Sequence, residues 1–217
     1  MANPVAEESG ASGRVGIIQV TLFGVPNPLI RSTGRSLKVQ VATLGGSLAT
    51  LWGVTAANVI VGGSLLQYGI HPRTVQGLWG IFAAPFLHAN LQHLIANSVP
   101  LIIFGWLVMV RDRRHFWPVT LIATLGAGIV AWTLGAPGSV HVGASGVVFG
   151  YLGFLLLAGW FTRSIGSILL SLGVAIVWGG LVFGVMPGQP GISWQAHLGG
   201  FIGGVLAAKW LAPRRIR

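Results

Sequence analysis

Between residues 39 and 211 the chain is dominated by six apolar runs, and no run contains a carboxylate. The runs cover roughly 39–66, 91–110, 116–134, 145–161, 165–183 and 196–211. A helix needs about 20 predominantly apolar residues to cross a bilayer, where every backbone N–H and C=O must be paired within the protein. The pattern therefore predicts an all-α membrane protein, a bundle of six transmembrane helices. Charged residues make up 7% of the chain, against about 25% in an ordinary soluble domain. So few charges cannot cover a surface that faces water. Segment 67–90, which carries Trp79, Phe82 and Phe86 but is broken by Pro72 and Pro85, reads as an interfacial loop and not as a span.

Three regions follow: a polar, glycine-bearing extension over 1–38, the six-helix core over 39–211 and a basic tail over 212–217. Within the extension, Val15–Ile30 is interrupted by Pro26 and Pro28 and is too short to span. No small-residue cleavage site follows a charged start, so no signal peptide is expected. Orientation comes from the basic residues. Arg14, Arg31, Arg35 and Lys38 precede the first run, Arg111, Arg113 and Arg114 lie between the second and third, Arg163 follows the fourth, and Lys209, Arg214, Arg215 and Arg217 end the chain. All of these fall on one side of a six-span topology, with Arg73 alone on the other. The positive-inside rule then places both termini in the cytoplasm. A net charge of +10 would point to nucleic acid in a soluble protein. Here the basic residues flank apolar runs and orient them, so the expected partner is the lipid bilayer and no nucleic acid.

The acidic residues exclude whole classes of chemistry. Glu7 and Glu8 lie in the extension and Asp112 in the basic turn Arg111–Arg114. An intramembrane aspartyl protease needs two carboxylates in the membrane. A zinc protease of the H-E-x-x-H type needs a Glu beside a His. Neither is available, and a proton-coupled carrier that relies on a buried carboxylate is disfavoured. The chain also lacks cysteine, which removes thiolate metal sites and cysteine nucleophiles. His88 and His93 are five apart, about 140° round a helix, a poor metal pair, and no metal or organic cofactor is expected. His88 is expected to close the loop entering the second span.

Histidine, asparagine, serine and glutamine remain in the apolar region, and four of them agree in depth. In the inferred topology the second, fourth and sixth spans all start at the outer face. His93 and Asn97 lie in the first turns of the second, Ser145 starts the fourth and His197 starts the sixth. A serine loses its proton to a histidine when it attacks a carbonyl. Gly146 and Gly150, facing Gly199, Gly200, Gly203 and Gly204, permit close helix approach, which is expected to bring Ser145 Oγ within hydrogen-bond reach of His197. Phe149, one turn after Ser145, is placed to pack beside the imidazole. His93 and Asn97, four apart, share a face and can donate to an oxyanion, as can unpaired N–H groups at the start of the fourth span. His71, His115 and His141 are expected to be solvated in loops. Ser139, Ser164, Ser167, Ser171 and Ser193 are expected to be structural, lacking a partner at the right depth.

Three motifs, His88-x4-His93-x3-Asn97, Gly143-Ala-Ser145-Gly146 and Ala196-His197-Leu-Gly-Gly200-x3-Gly204, resemble those of the rhomboid intramembrane serine proteases, in the same order and on the same helices. The resemblance implies Ser145 as nucleophile, His197 as its base in a dyad without an acid, and His93, Asn97 and the Ser145 backbone as the oxyanion hole. Gly143, Gly146, Phe149 and His88 take supporting places. It implies cleavage of single-span membrane proteins within or beside their transmembrane segment, in a cavity open to the outer face of what is expected to be a bacterial cell membrane. Two positions depart from the pattern: Trp79 is followed by Gly80 where many members carry Trp-Arg, and Phe149 stands where some bacterial relatives have tyrosine. The competing readings are a catalytically silent relative that binds membrane proteins and directs their fate, and a small transporter. The first is disfavoured by the presence of both Ser145 and His197, and the second by the lack of intramembrane charge.

Overall fold

In the computed structural model, residues 28–189 and 191–212 are described, with side chains from Leu37 onward; the expected extension up to residue 27 and the tail from 213 lie outside the described residues. Seven α-helices follow one another: α1 (Pro28–Ile60), a short α2 (Val75–Ala83), α3 (Leu91–Asp112), α4 (Phe116–Leu134), α5 (Ser145–Thr162), α6 (Ile165–Trp178) and α7 (Trp194–Trp210). No strand occurs among the described residues, only an isolated antiparallel bridge between Ile70 and His141. The six long helices match the six apolar runs. By length and composition Leu91–Leu134, Ser145–Thr162 and Ile165–Val185 suffice to cross a membrane, the first of them containing both α3 and α4.

The ends of the helices have local causes. α1 starts earlier than its apolar run and stops at Ile60, before the run does, because Gly62 and Gly63 take φ of +67° and +83°, a left-handed turn that ends a helix. α6 gives up α geometry at Trp178 and continues as a 3-10 turn over Gly179–Val185. Side-chain caps start four helices: Thr74 accepts from Gly77 N–H, Asn90 from His93, Ser164 from Ser167 and Ser193 from Ala196. The expected interfacial loop contains α2, whose Val75 and Trp79 are exposed.

α5 is the central helix, buried without interruption from Gly146 to Leu155. In lipid, apolar surface gains little by leaving its solvent, so association rests on close packing and interhelical hydrogen bonds. Both are present. A Cβ on Gly200 or Gly204 would collide with the carbonyl of Gly146 or Gly150, and one on Gly199 with the carbonyl of Gly126 in α4. Ser171 of α6 donates to the Leu155 carbonyl (2.6 Å) and accepts from Gly159 N–H (3.1 Å). Arg111, at the end of α3, donates to the Ala158 carbonyl and the Thr162 hydroxyl near the end of α5. Trp52 of α1 donates to Ser98 of α3. By contrast α6 shows much of its apolar surface, with Ile165 and Ile176 exposed. This is the surface expected of a helix bathed in lipid.

Adding one methyl group should separate these contacts. Gly200→Ala should lower the melting temperature in detergent, overpacking costing about 1–3 kcal/mol. Gly45→Ala, whose Cβ would meet nothing within 4 Å, should leave it unchanged or raise it, by up to about 1 kcal/mol of helix propensity.

Candidate active site

The first turns of α3, α5 and α7 meet at one end of the bundle, around a cavity of ≈ 580 Å³ lined by His93, Asn97, Ser145, Phe149 and His197 among others. This volume lies within the usual range of small-molecule and cofactor sites. α5 starts at Ser145 behind Gly143, whose φ of +115° favours glycine for lack of a Cβ. A Cβ at Gly143 would also lie 2.5 Å from His93 Nε2 and 3.5 Å from Asn97 Nδ2. The two α3 side chains therefore abut the backbone just before the serine. Gly143 N–H donates to the Ala84 carbonyl (2.8 Å), and Ala144 N–H to His88 Nε2 (3.4 Å). No side chain caps α5, and the Ser145 and Gly146 N–H groups have no partner among the described residues. Two backbone donors are thus left beside the serine hydroxyl.

His197 is held on two sides. Its ring stacks on Phe149 with centroids 4.0 Å apart and planes 10° from parallel, and its Nδ1 lies 2.9 Å from the Gly184 carbonyl. A carbonyl only accepts, so Nδ1 carries the proton and the lone pair of the neutral ring is on Nε2. Gly184 was not apparent from the sequence, because its contribution is a backbone atom. The absence of a side chain there is the one visible trace: a Cβ at Gly184 would meet the Phe149 ring at 2.6 Å. The expected hydrogen bond between Ser145 Oγ and His197 is not formed in this structure; both groups line the same cavity.

Two expectations are corrected. His141 is not solvated: half-buried, it reaches Ser193 through Nδ1 (2.6 Å) and Ser139 through Nε2 (3.1 Å). Ser139 and Ser193 consequently do have a partner, at the depth of the cavity that all three residues line. His115 sits edge-on to Phe154 and is partly enclosed, whereas His71 stays near the surface, bonded to the Gln67 carbonyl. Ser171 is structural, as described above. No group of three or more His, Cys, Asp or Glu among the described residues is placed to hold a metal ion.

Residues 75–214 match the model of the rhomboid domain. The chain belongs to the rhomboid family. It is also 40% identical to an uncharacterized protein of Mycobacterium tuberculosis over 215 residues, covering 93% of this chain and 89% of that one. Rhomboid-like protein 11, chloroplastic, of Arabidopsis thaliana is 38% identical over 90 residues, 40% of this chain and 32% of the plant protein. RHOMBOID-like protein 7 of the same plant is 32% identical over 145 residues, 63% of this chain and 43% of its own length. A rhomboid-family chain with this helical content is a membrane protein.

His88 gives a pH prediction. It is 1% exposed, and burial first, then the charge of His93, pushes its pKa down to about 4. The folded state needs the neutral ring, whose Nε2 accepts from Ala144. The unfolded chain takes up the proton near pH 6.5. The stability this contributes is therefore complete above about pH 6.5 and is lost as pH falls from there toward 4. Melting temperature in detergent should fall over that window, and His88→Gln should flatten the fall.

Proposed function

We propose that this rhomboid is an intramembrane serine endopeptidase that cleaves transmembrane segments of single-span membrane proteins. The observation that carries the reading is the state of His197: stacked on Phe149, with its proton held on Nδ1 by Gly184, it keeps the lone pair on Nε2 in a ring that lines the same cavity as Ser145. In the proposed reaction the Ser145 hydroxyl attacks the scissile carbonyl while Nε2 takes its proton. The resulting oxyanion is met by the Ser145 N–H, the Asn97 amide and His93. Collapse breaks the C–N bond, the leaving amine takes the proton from His197, and an acyl-enzyme remains. Water then attacks the ester with Nε2 again as base, the bond from Ser145 Oγ to the acyl carbon breaks, and His197 returns the proton to Ser145. The Gly184 carbonyl fills the orienting place that a carboxylate takes in an acid-containing triad.

The alternative is a catalytically silent rhomboid that binds membrane proteins. The unformed Ser145–His197 hydrogen bond is the observation that favours it. Cleavage of a model single-span substrate by purified protein in detergent decides between them. Wild type should cleave, and Ser145→Ala and His197→Ala should fall to background. Asn97→Ala should lose about 10²–10³-fold in kcat, the usual cost of one oxyanion donor. Absence of cleavage together with absence of fluorophosphonate labelling at Ser145 would favour the silent reading.

The orientation is part of the proposal: both termini in the cytoplasm of a bacterial cell and the cavity open to the outer face. Arg111, Arg113, Arg114, Arg163 and Lys209 supply the inner-side charge. The chain has no cysteine, so single introduced thiols report directly. In intact cells a membrane-impermeant maleimide should label Ala136→Cys and should reach Arg114→Cys only after permeabilisation.

A further inference from the structure

His141 and Ser193 stand outside the machinery proposed above, yet each lies four residues ahead of one of its members, His141 before Ser145 and Ser193 before His197. Their side chains make the only hydrogen bond, among the described residues, between the segment 136–145 and the segment 193–197. Since Ser145 and His197 share no hydrogen bond of their own, this bond acts together with the glycine packing of α5 on α7 to fix their separation.

The proton count of the network closes. Ser139 Oγ donates to the Ala136 carbonyl (2.7 Å), so its lone pair takes the N–H of His141 Nε2 at 3.1 Å. His141 Nδ1 is then the acceptor and receives the Ser193 hydroxyl proton at 2.6 Å. Ser193 Oγ in turn accepts Ala196 N–H at 3.3 Å as the cap of α7, and the Ser193 carbonyl accepts His197 N–H at 3.1 Å. Each donor has an acceptor. Burial keeps the His141 imidazole below its ordinary pKa, in keeping with a neutral ring. The other side of the bond is equally fixed: His141 N–H and C=O are both paired with Ile70 at 3.0 Å. A Cβ at Gly135 would lie 2.5 Å from His141 Nε2, so the glycine there leaves room for the ring.

We propose that His141 is a positioning residue, whose hydrogen bond to the capping Ser193 sets the start of α7, and with it His197, at working distance from Ser145. The inference rests on the proteolytic reading above. A displacement of about 1 Å at a reacting centre costs about 10²-fold in rate. The loss therefore falls on kcat and not on KM.

The test uses the full chain in detergent, a single-span substrate and a fluorophosphonate. His141→Phe keeps a ring without an acceptor; His141→Asn offers Oδ1 near the place of Nδ1. His141→Phe should lower kcat about 10–100-fold with KM within about twofold, and His141→Asn should recover most of it. Ser193→Ala should resemble His141→Phe, with the double variant no worse than either single one. A loss carried by KM, no recovery in His141→Asn, or additive losses in the double variant would overturn the proposal. Should His141→Phe fail to fold, Ser193→Ala against Ser193→Thr makes the same comparison from the other side of the bond. If wild type neither cleaves nor labels at Ser145, the protease reading has failed, and amide hydrogen exchange over residues 194–198 then decides. Faster exchange in His141→Phe but not in His141→Asn supports the coupling; equal exchange overturns it.

Discussion

Everything at the cavity depends on how closely the backbone of α7 lies against that of α5. Gly200 and Gly204 present Cα–H where any other residue would present a side chain, and the carbonyls of Gly146 and Gly150 occupy the space released. In a lipid solvent such proximity replaces the hydrophobic drive of a soluble core, since dispersion contacts and weak Cα–H···O contacts strengthen only at short range. Ser145 begins one of these helices and His197 lies in the first turn of the other. The approach that makes the bundle cohere is the one that brings Ser145 and His197 to a single cavity.

The absence of a carboxylate then becomes intelligible. An ionised acid buried among apolar helices would be expensive, and a carbonyl serves for orientation at lower cost because it is neutral and already part of the backbone. Gly184 supplies it, from a 3-10 turn that breaks the α geometry of α6 and leaves carbonyls outside an α-helical ladder. Phe149 supplies the flat wall. Between them they define the plane of the imidazole and its tautomer without any charge.

The parts of this arrangement legible in the sequence are those that repeat or that exclude. Apolar runs mark the six helices, with bounds within a residue or two for α3, α4 and α5, because polar residues and caps such as Asn90 sit at their ends. The three acids exclude carboxylate chemistry by their positions. Ser145, His197, His93 and Asn97 stand out because polar residues are scarce in such runs. Backbone acceptors were not legible: Gly184 contributes a carbonyl, and nothing in the residue type announces it. Nor was the His141–Ser193 bond, since a histidine in a loop reads as solvated until the fold shows what covers it. The end of α1 was misplaced because Val61, Leu65 and Leu66 extend the apolar pattern past Gly62 and Gly63, where left-handed φ overrides it.

The Arg111 guanidinium, bonded to the Ala158 carbonyl and the Thr162 hydroxyl, has a bearing on chemistry at the far end of the same helix. α5 is 18 residues long, about 27 Å, and its peptide dipoles sum to a partial negative charge near Arg111 and a partial positive charge at Ser145. A cation at the C-terminal end balances the negative pole, and the absence of a cap at the N-terminal end leaves the positive pole unanswered. The central helix is thus polarised along its length, with its unmet positive potential in the cavity. An alkoxide or oxyanion forming at Ser145 would meet a field already in place before the reaction starts.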